Sequence, residues 1–282
     1  MKKNLLILIL AIFLIVFFLW QGIYLPKNPR LTEKELFLVE RGQNLFRIAE
    51  NLEKEGFIKN RFLFDFYVLA KGAQRKLQAG EYSLSPAMDV AEIAQKIVSG
   101  NIVEEEITII EGWNLKDIGF YFENRGMFRA EELYDGKKEL EGYLFPDTYK
   151  IRKGESLEEI IEKMRTNFEE KTKNLEITPE IIIMASLLEK EVKTKEEKEL
   201  AAGVLWKRLE VGMPLQVDAA METYARLGLP AGPICNPGLE SILASIYPES
   251  SEYWYYLSTP DGITIFSKTL EEHNIAKAKY LE

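Results

Sequence analysis

The stretch TPEIIIMASLLEKEV, residues 178–192, reads as a helix. Thr178 is a cap-type residue, and Pro179 takes the first helical position, where its missing N–H costs nothing. From Ile181 to Leu188 the run is apolar nearly all round, the pattern of a helix covered on every side. Glu189 stands at the end of that run. On a 3.6-residue helix it stacks over Ala185 and Ser186, with Ile182 one turn further back. Glu191 lies about 200° away, on a different face. Glu189 is therefore the carboxylate expected on the buried side. Partial burial disfavours the charged form, and an acid that keeps its proton suits protonation of a glycosidic oxygen. The competing reading makes Glu189 a solvated member of the run EKEVKTKEEKE, and spacing alone favours it.

Helical patterns surround this segment. SLEEIIEKMRTNFEEKT (156–172) has Ser156 and Glu159 at capping-box spacing, and TKEEKELAAGVLWKRLEVGMP (194–214) has Thr194 and Glu197. Gly212 and Pro214 stop the second of these. The tail returns to strands: YWYYLSTPDGITIFS reads as a hairpin with Asp261-Gly262 at its turn, followed by a helix from about residue 270.

Upstream, LFLVERGQNLFRIAENLEKEGFI predicts a strand, a turn at Gly42 and a helix near 44–55 with Leu45, Ile48, Ala49 and Leu52 on one face. A second helix runs from Asn60 to Gly72, then a strand in LQAGEYSL and a helix capped by Asp89 and ended by Gly100. The pattern VERGQNLFRIAENLEKEG rhymes with IIEGWNLKDIGFYFENRG further on. Two explanations stand level, a repeated βα unit or common turn chemistry.

The chain opens MKKNLLILILAIFLIVFFLWQGIYLPKNPR, with no polar residue from Leu5 to Trp20. Extended to Leu25 this gives about 21 residues, or roughly 31 Å of helix, enough to cross a bilayer. Trp20 and Tyr24 suit the far interface. The bulky exit lacks the small residues of a signal-peptidase site, so the segment reads as a retained anchor. Lys2 and Lys3 favour a cytoplasmic N-terminus, although Lys27 and Arg30 weaken that bias, and the rest of the chain is expected outside. The expected organisation is an inner tail at 1–4, a span at 5–25, a linker at 26–35, a small module at 36–100 and a larger domain at 101–282. The fold class is α+β.

Composition narrows the chemistry. A net charge of −9 over 282 residues argues against nucleic acid as a partner. No phosphate-binding glycine loop is present. One histidine, His273, and one cysteine, Cys235, cannot build an ordinary four-ligand zinc site. They are also the only members available for a Cys-His pair, and His273 the only base for a Ser-His-Asp triad. Catalysis, if present, falls to carboxylates. Further polar candidates lie beside turn residues: Glu141, Tyr143, Asp147 and Tyr149 in ELEGYLFPDTY, Gln216 and Asp218 in PLQVD, and Asn236 in GLPAGPICNPGLES. Taken singly, each is more simply a turn residue serving the backbone.

Together EGWNLKDI, LEGYLFPDTY, ASLLEKEV, RLEVGMPLQVD, TYARLGLPAGPICNPGLES and the terminal hairpin leading to EEHN resemble the YceG-like family of endolytic murein transglycosylases, in family order over about 36–282. The 36–100 module resembles that family's LysM-like subdomain. The resemblance implies cleavage of peptidoglycan glycan strands without water: a glutamate protonates the bond between N-acetylmuramic acid and N-acetylglucosamine, and the muramyl 6-hydroxyl closes on its own C1 to leave a 1,6-anhydro end. The family's catalytic glutamate maps to Glu189. Gln216, Asp218, Glu141, Tyr224 and Asn236 are expected to bind sugar or support Glu189. No metal or cofactor is implied. The plasma membrane and peptidoglycan synthases are the implied neighbours. Two rivals remain: a non-catalytic membrane-anchored peptidoglycan-binding scaffold, and a hydrolytic muramidase, which needs a second carboxylate. One departure stands out. Relatives carry a longer segment between the LQxD motif and TY, and Ala231 stands where proline is common; the missing piece is expected to alter a wall of the glycan groove.

Overall fold

The computed structural model describes residues 2–281; Met1, the first residue of the expected inner tail, and Glu282 lie outside the described residues. The chain divides into two compact units, residues 1–105 with 150–155, and residues 106–149 with 156–282. The short return of 150–155 to the first unit has no signature in the sequence.

The first unit begins with α1 (Lys2–Tyr24). Its segment Asn4–Tyr24 has 21 residues with a mean hydropathy of 2.8 and is long and apolar enough to cross a membrane. Leu5 through Phe18 leave their large side chains exposed, without protein cover. The last turn behaves differently. Ile23 is buried in the core of the module that follows, and Tyr24 meets the Tyr67 ring edge-on with centroids 6.4 Å apart. The expected linker is also pinned, because the Asn28 N–H donates to the Pro86 carbonyl at 2.9 Å. The apolar helix therefore runs directly onto the module.

That module is β1 (Glu35–Val39), α2 (Leu45–Lys54), α3 (Arg61–Ala70), β2 (Gly80–Leu84) and α4 (Val90–Ser99). β1 and β2 pair antiparallel with Phe37 opposite Tyr82. The two-residue period of the strands turns Phe37, Val39, Tyr82 and Leu84 inward, onto the Leu45, Ile48, Ala49 and Leu52 face of α2. Asn44, Asn60 and Asp89 cap the three helices as their positions predict.

The sequence rhyme is structural. β3 (Glu104–Thr108) is followed by a turn and α5 (Leu115–Asn124), as β1 is by α2. Gly42 and Gly112 adopt φ of 83° and 79°, the left-handed region that glycine enters freely. Asn44 and Asn114 then cap the helices. The chain continues through the short α6 (Glu131–Tyr134) to β4 (Thr148–Arg152), which pairs with β3.

The second unit is mostly helical: α7 (Leu157–Thr172), α8 (Pro179–Glu191), α9 (Lys195–Glu210), the single-turn α10 (Glu222–Ala225) and α11 (Leu239–Ile246). A hairpin of β5 (Tyr255–Ser258) and β6 (Thr264–Ser267) and then α12 (Leu270–Tyr280) complete it. α8 is the centre, with every residue from Ile182 to Leu188 buried. α11 packs against both α8 and α9. One core gathers Met184, Leu187 and Leu188 with Ala201, Leu205, Leu215 and Val217; another gathers Ile182 and Ala185 with Phe145, Phe168 and Ile242. At about 1.5–3 kcal/mol for each fully buried large side chain, this helix is a principal source of the unit's stability. Its last turn is thereby fixed in space, and that turn carries Glu189.

Candidate active site

Glu189 is not solvated: its side chain is 9% exposed. Lys198, in the second turn of α9, places Nζ 3.2 Å from Oε1 and is itself only 4% exposed. Oε2 lies at the start of α11, where it accepts the Gly238 N–H at 2.9 Å and the Ser241 hydroxyl at 2.6 Å. A helix N-terminus and an ammonium both attract negative charge. The expectation was burial that disfavours the anion. The finding is a buried carboxylate whose two oxygens receive three donors, an arrangement matched to an acceptor. Sequence reasoning missed Lys198, Gly238 and Ser241, because their partnership with Glu189 depends on how α9 and α11 pack on α8.

Glu111, in the EGW turn, is a second carboxylate of this site. It sits against Gly238 so closely that a β-carbon there would collide with its oxygen. Burial of its surroundings and the negative charge of Glu189 push its pKa up, against the pull of Lys198. Gly112 borders Glu189 at ordinary contact distance, since a side chain there would begin 3.6 Å from its Cγ. The EGW turn is locked in place by paired main-chain bonds, Gly112 N–H to the Asn236 carbonyl and Asn236 N–H to the Trp113 carbonyl, both 2.9 Å.

Asn236 is the hub of a neighbouring network. Its Oδ1 accepts from Gly142 N–H at 2.9 Å and Leu144 N–H at 3.0 Å. Its Nδ2 donates to the Trp113 carbonyl at 3.0 Å and to Glu141 Oε1 at 3.3 Å. With all four amide positions used and no exposure, Asn236 has no capacity left for a sugar. Its role in this structure is to hold the EGW, EGY and CNP segments together. Glu141, by contrast, lines a cavity of about 870 Å³ with Asn114, Lys116, Tyr134, Glu222 and Pro233. Burial pushes its pKa up to about 7, only partly offset by the Leu115 N–H at 3.2 Å. Glu189 is not among the residues lining this cavity.

The remaining candidates gather around Glu191. Its Oε1 accepts the Ala219 N–H at 3.0 Å, and burial is the largest cause raising its pKa. The sequence placed Glu191 on a face away from the buried one. In fact both faces of α8 are covered, and the 216–224 loop lies over that of Glu191. Exposed Asp218 accepts from the Tyr224 hydroxyl at 2.5 Å, and the Tyr224 pKa is pushed up to about 12 by burial and by that bond. Gln216 has φ of 53°, a left-handed conformation that costs a non-glycine residue energy and favours functional sites. Arg208 braces the preceding residue, donating to the Leu215 carbonyl at 2.6 Å.

Cys235 and His273 do not form a nucleophile pair. Burial pushes the Cys235 thiol up to about 12, and it donates to the Ser186 carbonyl. His273 stacks on Tyr255 with ring centroids 5.2 Å apart.

The YceG-like family model matches residues 37–222 and 220–279, all but the N-terminal apolar helix with its connector and the last three residues. The chain belongs to the YceG-like family. An endolytic murein transglycosylase of Bacillus subtilis is 32% identical over 299 aligned residues, covering 85% of this chain and 83% of that protein. One of Streptococcus pneumoniae is 25% identical over 319, covering 86% of this chain and 58% of the longer relative. The crystal structure of a YceG-like protein of Listeria monocytogenes superposes with a TM-score of 0.54 at 30% identity, over 87% of this chain and 99% of that one.

Proposed function

We propose that this YceG-like chain is a peptidoglycan lytic transglycosylase that cuts glycan strands endolytically and leaves 1,6-anhydromuramyl ends. The observation that carries the reading is the sealed Glu189 with its Lys198, Gly238 and Ser241 donors, in a chain whose relatives are named for that activity.

The chemistry needs one group that gives a proton and then takes one back. Glu189 protonates the glycosidic oxygen, the C1–O bond breaks, and positive charge develops at the muramyl C1. Between the two transfers Glu189 is a carboxylate, and three preformed donors stabilise it at that moment. Oε2 already has two donors and Oε1 only one, so Oε1 is the atom with room to exchange a proton. The muramyl 6-hydroxyl then attacks C1 and yields its proton to Glu189. The proton taken from the 6-hydroxyl replaces the one given to the leaving group, and no water is consumed. Glu111 is a second carboxyl group beside Glu189, and the negative charge that Glu189 acquires favours the protonated form of Glu111. Gln216, Asp218, Tyr224 and Glu141 serve as sugar-binding groups, and Asn236 as a support.

The 36–100 module, with its β-α-α-β-α order, is read as LysM-like and glycan-facing. The anchor is read as crossing the plasma membrane with the N-terminus inside and residues beyond 30 outside, near the synthases that make nascent strands. Incubating the chain with uncrosslinked strands in oxygen-18 water tests the activity. Anhydromuramyl ends without label support it; reducing ends carrying label mean a muramidase, and binding without new ends means a scaffold.

A further inference from the structure

The cavity beside Glu141 has no part in the proton chemistry just described. Its volume of about 870 Å³ is that of a ligand site, about 300–1,000 Å³. Its walls come from the start of α5, from residues 134–141, from Glu222 and from residues 231–234. Two of these segments continue to the acid. Gly112, beside Glu189 Cγ, precedes Asn114 by two residues, and Gly238, which donates to Glu189, follows Ile234 by four. Ile234 is held in turn by its N–H to the Ser186 hydroxyl at 3.1 Å, one helical turn before Glu189.

The lining carries both signs of charge. Lys116 and Lys138 stand with Asp135, Glu139, Glu141 and Glu222. Neutral saccharides are gripped by aromatic faces and uncharged hydrogen bonds. Here Tyr134 is the one aromatic ring of the wall, and the Lys116 ammonium lies over it at 5.7 Å. Charges of both signs suit a ligand that has both, since complementary charge sets orientation and selects partners.

The cavity wall also includes the point at which the family match is broken in two. The two stretches matched by the family model meet at 220–222, and Glu222 forms part of the wall. The short connection is stitched by Thr223, whose Oγ1 accepts the Val217 N–H at 2.8 Å and donates to the Ala220 carbonyl at 2.7 Å. That stitching seats α10 and fixes Glu222.

We propose that this cavity is a subsite for the short peptide carried by the muramyl residue of the strand, with Lys116 and Lys138 taking its carboxylates and Glu139 and Glu222 its amine. The proposal rests on the reading of the substrate as peptidoglycan. It gives the chain a preference for peptide-bearing strands over bare glycan.

The test compares strands with peptides intact and strands stripped by an amidase, using the full chain in detergent. Binding and cleavage are both measured, for the wild type and for Lys116→Ala/Lys138→Ala, two exposed positions whose folding is checked by denaturation. The expected result is a KM and a Kd at least tenfold lower for peptide-bearing strands in the wild type, and equal values for the two preparations in the variant. Equal values in the wild type, or a preference that survives in the variant, overturn the subsite while leaving the transglycosylase intact. Preferential binding with no cleavage of either preparation keeps the subsite and removes the enzyme; no binding of either removes both.

Discussion

Lys198 Nζ lies 3.2 Å from Oε1 of Glu189, and both side chains are nearly closed to solvent. A pair this buried constrains every substitution at either position. Removing one partner strands the other charge, whereas removing both costs little.

Glu189→Gln is therefore expected to lose cleavage and also about 3–5 kcal/mol of stability, since Gln still accepts from Gly238 and Ser241 but leaves Lys198 unpaired. Glu189→Gln/Lys198→Met is expected to regain most of that stability and none of the activity. Urea denaturation alongside an end-group assay separates the two effects. Glu191→Gln, which keeps an acceptor for Ala219, is expected to remain active.

Gly203 lies in α9, five residues beyond Lys198, where a β-carbon would collide with the Glu249 carbonyl. That carbonyl cannot easily yield, because the Glu249 N–H is tied to the Glu199 carbonyl at 2.9 Å. Gly203→Ala is expected to cost about 1–3 kcal/mol and to displace Lys198. At Gly238 the obstacle is only the end of the Glu111 side chain, so Gly238→Ala is expected to fold more nearly as wild type. The relative urea midpoints of the two variants check the contrast.

Asn236→Ala removes four hydrogen bonds and leaves the Gly142 and Leu144 N–H groups buried without their acceptor. A loss of about 2–4 kcal/mol is expected. If Asn236 instead served as a sugar ligand, the variant would keep its stability and show a raised KM.

Glu141 links stability to pH. Its folded-state pKa of about 7 exceeds the ordinary 4.5, so between those values the folded chain holds a proton that the unfolded chain has released. The stabilisation from this group is full below pH 4.5 and is lost as pH rises through 7, on the order of 3 kcal/mol in all. Glu141→Gln is expected to remove that slope. Denaturation midpoints at pH 5 and pH 7.5 measure it.

Local rules made much of this fold legible. Asn44, Asn60, Asp89, Ser156, Thr178 and Thr194 each announce a helix start, and each caps one. The apolar run of α8 announced its burial. The site was legible only as far as Glu189 itself. Lys198 looked like one more residue of a charged run, and nothing within the run marks it as the lysine that turns inward. Gly238 and Ser241 are 49 and 52 residues from Glu189, and their contact follows from α11 packing on two helices at once. Glu111 was present in a quoted motif, but its role emerges only from the close approach to Gly238. From the sequence Asn236 is expected to bind sugar or to support Glu189, and its Gly/Pro loop does not distinguish the two. Its four partners come from two segments, Trp113 and residues 141–144, that the sequence does not show as neighbours.

The central claim is that Glu189 moves a proton within the glycan without admitting water. The direct measurement is mass analysis of strand ends made in oxygen-18 water by the wild type and by the stable Glu189→Gln/Lys198→Met chain. The account predicts unlabelled 1,6-anhydromuramyl ends from the wild type and no new ends from the double variant. Labelled reducing ends from the wild type, or anhydro ends from the variant, would contradict it.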